Sequence, residues 1–96
     1  MKIELLDLAK ADLIEGHLFY EGREKGLGDY FLDNLFADID SLRLFGGMHP
    51  MPYRHFHRML SKRFPFAIFY AVEDAIVKVR AVVECRSWIR KHLRET

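Results

Sequence analysis

The chain has 96 residues, half of them hydrophobic and 30% charged, with a formal net charge of +1. That length suits one compact domain, and the mix excludes a disordered chain. The single cysteine, Cys85, excludes an internal disulfide and a thiolate zinc cluster.

Met1 to Leu8 carries Glu4 and Asp7 and no long apolar stretch, so no secretory signal is expected. The longest uncharged apolar run, Phe64 to Val72, falls far short of the roughly 20 residues a membrane helix needs. The chain therefore reads as cytoplasmic, with no membrane partner.

Lys2 to Asp7 reads as a short first strand. Ala9 to Lys25 reads as a helix: Ala9, Leu13, His17 and Tyr20 recur at helical spacing, and Ile14 and Leu18 widen the stripe. Gly16 costs up to about 1 kcal/mol against alanine, and it lets a neighbouring helix come close. Gly26-Leu27-Gly28 breaks the helix, with Gly26 suited to the left-handed position at its end. A second helix runs from about Asp29 to Leu44, with Phe31, Leu35, Ile39 and Leu42 in one stripe. The short link predicts an antiparallel helical hairpin. Glu21, Glu24, Asp29 and Asp33 read as its solvated face.

Gly46-Gly47 stops the second helix, and Met48 to Pro52 reads as an irregular loop. From there the pattern has period two. Tyr53 to Leu60 is a candidate strand, with Phe56, Arg58 and Leu60 on one face and His55, His57 and Met59 on the other. Phe66 to Val72 is a strand rich in aromatic and β-branched residues, and Glu73-Asp74 is its turn. In the strand Ile76 to Cys85, Val77, Val79, Ala81, Val83 and Cys85 fall on one face. Lys78, Arg80 and Glu84 fall on the other. Cys85 is thereby expected in the core. Ser87 can cap a final short helix over Trp88 to Arg94. The expectation is a single α+β domain, a helical hairpin packed on a mostly antiparallel four-stranded sheet with a short C-terminal helix.

Charge divides along the chain. Residues 1 to 53 hold 5 basic and 10 acidic residues, and residues 54 to 96 hold 10 basic and 4 acidic. A basic working surface built by the second half is one consequence; a basic sheet balancing an acidic helix pair is the other.

Three segments carry a resemblance. They are Tyr20-Glu21 with Gly26-Leu27-Gly28 and Phe31; Lys62-Arg63-Phe64-Pro65-Phe66-Ala67-Ile68-Phe69-Tyr70; and Ile76 to Val83 followed by Cys85-Arg86, Trp88-Ile89-Arg90 and Leu93. Together they resemble the RelE/ParE superfamily of toxins, in its ParE-like, plasmid-stabilisation branch. The resemblance implies a β-α-α-β-β-β fold and a toxin of a type II toxin–antitoxin module. It also implies growth arrest when the toxin is free, and a hetero-oligomer with a cognate antitoxin. ParE-like members act on DNA gyrase; RelE-like members are mRNA interferases on the ribosome. Glu84 stands where ParE-like chains often carry His or Asp, and Ser87 leads directly to Trp88, which shortens the loop after the last strand.

Gyrase inhibition needs a binding surface and no catalytic group. Arg86, Trp88, Arg90 and Arg94 supply the arginine and tryptophan types that anchor interfaces. RNA cleavage needs a base, an acid and a stabiliser of phosphate charge, for which Arg58, Arg80, Glu84 and Arg86 are the candidates. A third alternative is a non-toxic relic that still binds its antitoxin. An acidic antitoxin segment suits Arg54, Arg58, Lys78 and Arg80. His55 and His57 share a strand face, but no third ligand is fixed, so neither a metal nor a cofactor is expected.

Overall fold

The computed structural model describes residues 1–85. The final helix expected over Trp88 to Arg94 lies outside the described residues. The elements are β1 (Lys2–Leu5), α1 (Asp7–Arg23), α2 (Leu27–Asp40), α3 (Leu42–Phe45), β2 (His57–Leu60), β3 (Phe66–Glu73) and β4 (Ile76–Glu84). The fold is α+β, with the helices on one face of a four-stranded sheet of order β1-β4-β3-β2. β1 runs parallel to β4, and the other neighbours are antiparallel.

The helical hairpin closes on two glycines. Phe31 of α2 packs where Gly16 of α1 has no side chain, and Gly28 lies against the backbone of His17. The ring of Phe31 then meets Tyr20, Phe64 and Phe66 at centroid distances of 5.1, 5.1 and 5.0 Å. The expected stripe of Phe31, Leu35, Ile39 and Leu42 is buried, together with Ala9 and Leu13 of α1. Ile14 and Leu18 do not widen that stripe: they are 61% and 64% exposed. They lie past the edge of the arc that faces α2 and the sheet, since each residue of a helix turns the side chain by about 100°.

Gly26 has φ +88°, the left-handed conformation its place demanded. Glu21 is not part of a solvated face. Its carboxylate accepts the N–H groups of Gly26 and Gly28 at 3.0 and 2.9 Å, so α1 supplies the N-terminal cap of α2.

The single second helix expected to Leu44 is interrupted instead at Ser41, giving α2 and α3. The Ser41 hydroxyl donates to the carbonyl of Asp38 at 2.6 Å, a contact that competes with the helical ladder. The strand expected over Tyr53 to Leu60 shrinks to His57–Leu60, because Tyr53 and Phe56 pair across a tight turn in which Arg54 has φ +53°.

Candidate functional site

The main departure from the sequence pattern is in β4. Along β3 and β4, Phe69 pairs with Ala81 and the next residue, Tyr70, pairs with Val79. Arg80 is the extra residue of a β-bulge, and beyond it every side chain changes face. Val77 and Val79 are buried toward the helices, and so is Val82. Ala81, Val83 and Cys85 therefore turn to the outer face, and Glu84 turns to the helix side opposite Phe66. The single apolar row expected from Val77 to Cys85 is broken at that point. Arg80 and Glu84, expected on a common face, are divided.

The outer face collects Arg58, Lys78 and Arg80, while Arg54 stands in the turn before β2. Arg58 pairs in register with Phe69. The guanidinium of Arg80 lies 5.5 Å from the ring centre of Phe56, and that of Arg54 lies 5.5 Å from Tyr53. Lys78 is 3.0 Å from Glu73, and that hydrogen bond holds its ammonium pKa above the usual value. Cys85 stands on this face rather than in the core. Burial pushes its thiol pKa up, and the nearby charge of Arg58 offsets only part of that. A thiol so held is a poor nucleophile.

The helix side has a different character. An open cleft of about 840 Å³ lies between α1 and β4, lined by Asp12, Glu15 and Glu24 with Glu84 across from them. Asp12 accepts the backbone N–H of Val82 at 2.9 Å, joining groups 70 positions apart. Burial raises the Asp12 pKa; the hydrogen bond lowers it in part, and Glu15 raises it further.

A third constellation ties down the loop before β2. Tyr70 is 0% exposed, and its hydroxyl accepts the N–H of Gly47 at 3.1 Å. The same hydroxyl is hydrogen-bonded to His49 Nδ1. His57 stacks on Tyr70 with ring centres 5.0 Å apart, and its Nδ1 donates to the carbonyl of His49 at 2.7 Å. Burial lowers the His49 pKa from 6.5, and the proximity of His57 lowers it further. Among the described residues, no three His, Cys, Asp or Glu side chains are placed to share a metal ion.

The sign of the pH effect follows. Because the folded pKa of His49 is depressed, the unfolded chain binds more protons just below the ordinary histidine value. The stability this network contributes is complete above about pH 6.5 and falls as pH drops toward the folded value. Urea unfolding at about pH 7.5 and about pH 5 is expected to show that loss. Tyr70→Phe leaves the Gly47 N–H and His49 without their partner. It is expected to cost about 1–3 kcal/mol at the higher pH and to weaken the pH dependence. An unchanged profile would mean that the histidine does not titrate against this hydroxyl.

Sequence reasoning missed Asp38. It is 6% exposed, and its carboxylate accepts the Ser61 hydroxyl at 2.6 Å and the Lys62 N–H at 3.3 Å. Its one local signal was an acidic residue inside the apolar stripe, beside Ile39. Arg86, Trp88, Arg90 and Arg94 lie outside the described residues.

The hairpin-on-sheet arrangement defines an α+β class of small domain. No protein-family model and no curated protein sequence matches the chain. Among solved structures the chain is similar to one from "Chromosomal ParDE TA system from P. aeruginosa". The TM-score is 0.74, over 88% of this chain and 95% of that one, at 14% sequence identity. At that identity the similarity is one of fold.

Proposed function

We propose that this chain is the toxin of a type II toxin–antitoxin module, held by a cognate antitoxin and acting, when free, on DNA gyrase in the cytoplasm. The observation that carries the reading is the fold likeness to the ParDE structure across most of both chains. It agrees with the order of motifs from Tyr20 to Leu93. Among the described residues no helix is long and apolar enough to cross a membrane.

Arg58, Lys78 and Arg80 on the outer sheet face, with Arg54 in the turn before β2, are the proposed antitoxin contacts, where an acidic segment would meet them. Arg86, Trp88, Arg90 and Arg94 are the proposed target contacts. The ribonuclease alternative needs its acid, base and phosphate-binding groups to converge on one phosphate. Arg58 stands on the outer face and Glu84 on the helix side, which favours a role by binding over one by catalysis.

Pulse-labelling of DNA and protein synthesis in a bacterium, minutes after inducing this chain alone, tests the reading. Thymidine incorporation is expected to fall before methionine incorporation. The reverse order would replace gyrase by mRNA cleavage. If neither falls while the chain is folded, it is an antitoxin-binding relic.

A further inference from the structure

We propose that His49, His57 and Tyr70 form a proton-operated latch, which fastens residues 47–56 to β2 and β3 at neutral pH and releases them, with the arginines they support, on mild acidification. The bearing of the latch on an antitoxin rests on the reading of this chain as a toxin; the latch itself does not.

Four contacts fasten this strap. The Tyr70 hydroxyl on β3 accepts the Gly47 N–H at 3.1 Å and is hydrogen-bonded to His49 Nδ1. His57 Nδ1 on β2 donates to the His49 carbonyl at 2.7 Å. The Arg58 N–H donates to the Pro50 carbonyl at 2.8 Å. The first three run through one aromatic group: His57 stacks on the Tyr70 ring at 5.0 Å, and His49 meets it edge-on at 5.6 Å.

The setting of the two imidazoles makes them sensitive to protons. From Ser41 to Val72 the sequence has no Asp or Glu, yet it holds Arg43, Arg54, Arg58, Lys62, Arg63 and three of the five histidines. The acids that bracket this stretch are engaged elsewhere: Asp40 with Arg43 at 2.6 Å and Glu73 with Lys78 at 3.0 Å. Tyr70 on β3 and His57 on β2 face His49. On the strap, His55 lies against Phe56 and Arg54 against Tyr53; on β4, Arg80 lies over Phe56. A proton on His49 therefore enters a half-buried place beside a second imidazole, and none of these groups is an acid that could balance it. Burial, and then the nearness of His57, hold the His49 pKa below 6.5. A released strap puts His49 in water, where it binds the proton more readily. Release is thus favoured as pH falls below about 6.5 and opposed above it.

The strap supports two of the four proposed antitoxin contacts. Arg54 stands on it at φ +53°, and the Phe56 ring lies 5.5 Å from the Arg80 guanidinium. Release displaces Arg54 and takes the ring from Arg80, while Arg58 and Lys78 keep their places on β2 and β4. An acidic segment then binds less tightly at low pH. Added imidazolium charge alone would have the opposite sign, since it attracts an acidic segment more strongly.

Amide hydrogen exchange of the isotope-labelled full chain, between about pH 7.5 and about pH 5.5, tests the latch. Protection factors at Gly47 and Arg58 are expected to fall by up to about tenfold at the lower pH, one unit below the ordinary histidine value. Those at Leu6 and Ser61, bonded elsewhere on the sheet, are expected to hold. His49→Gln and His57→Gln are each expected to flatten the pH dependence, and His55→Gln to leave it intact. Protection at Gly47 and Arg58 that does not change with pH would overturn the proposal. So would an equal loss at Leu6 and Ser61, which is global unfolding, or a dependence that survives both glutamine variants. A capped glutamate-rich peptide, still ionised at about pH 5.5, supplies the second readout. It is expected to bind less tightly at the lower pH to the unaltered chain but not to His49→Gln. Tighter binding at the lower pH would overturn the displacement of the arginines. Growth arrest is scored separately: a chain that arrests nothing but loses strap protection with acid removes the toxin reading and keeps the latch.

Discussion

Phe31→Ala is expected to cost about 3–5 kcal/mol, a large share of the roughly 5–15 kcal/mol that holds a domain folded. The ring is 0% exposed and occupies the space left by Gly16, where a Cβ would come within 2.5 Å of its tip. It touches α1 through Tyr20 and the entry to β3 through Phe64 and Phe66. One side chain therefore joins both helices to the sheet. Alanine removes three aromatic contacts, each worth about 0.5–1.5 kcal/mol beyond area burial. The cavity left behind is walled by a rigid helix backbone at Gly16 and by large rings that are themselves anchored, so collapse is limited. Urea unfolding followed by far-ultraviolet circular dichroism measures the loss. A change within about 0.5 kcal/mol, the scale of an ordinary surface substitution, would mean that the ring does not fill this junction.

Gly28→Ala is expected to destabilise by about 1–3 kcal/mol or more, although alanine is the better helix former. A Cβ at Gly28 would lie 2.6 Å from the His17 carbonyl oxygen and 2.9 Å from Glu21 Cβ. The nearest atom is backbone, so the clash cannot be relieved by a rotamer change. The helices must separate, and the separation pulls the Gly26 and Gly28 N–H groups away from the Glu21 carboxylate. Gly22→Ala is the matched control, because a Cβ there meets nothing within 4 Å. Relief of the glycine penalty near the end of α1 is expected to stabilise by up to about 1 kcal/mol. Thermal unfolding of the two variants should move in opposite directions. A shift of the same sign in both would remove the close approach at Gly28 as the cause.

The outcome at Gly28 would bear on more than stability. α1 carries Asp12 and Glu15, and its distance from β4 sets the width of the cleft. A loosened hairpin is expected to disturb that cleft before it disturbs the outer face, whose arginines stand on β2 and β4.

Much of this architecture was legible in the chain. Phe31, Leu35, Ile39 and Leu42 announced the buried face of a helix by spacing alone, and Gly26 announced the break before it. Those signals are local: a helix or a turn is decided by residues within a few positions of one another. The strands and their order were legible for the same reason, as was the placement of Arg58 opposite His57 and Met59. Faces beyond Arg80 were not. A bulge inserts one residue without any required side chain, so nothing in Val79-Arg80-Ala81 marks it, and one unpaired residue reverses everything after it. Asp12, Glu21, Asp38 and Tyr70 belong to the same class. Each is an ordinary polar residue in an ordinary element, and each acquires its role from a partner that only folding brings near. The kinds of element, their order along the chain and the core of the hairpin follow from the residues alone, because periodicity and backbone freedom are written residue by residue. Folding alone settles which face carries Glu84 and Cys85, and which carboxylate accepts the Val82 N–H, because those depend on strand register and on contacts across as many as 70 positions.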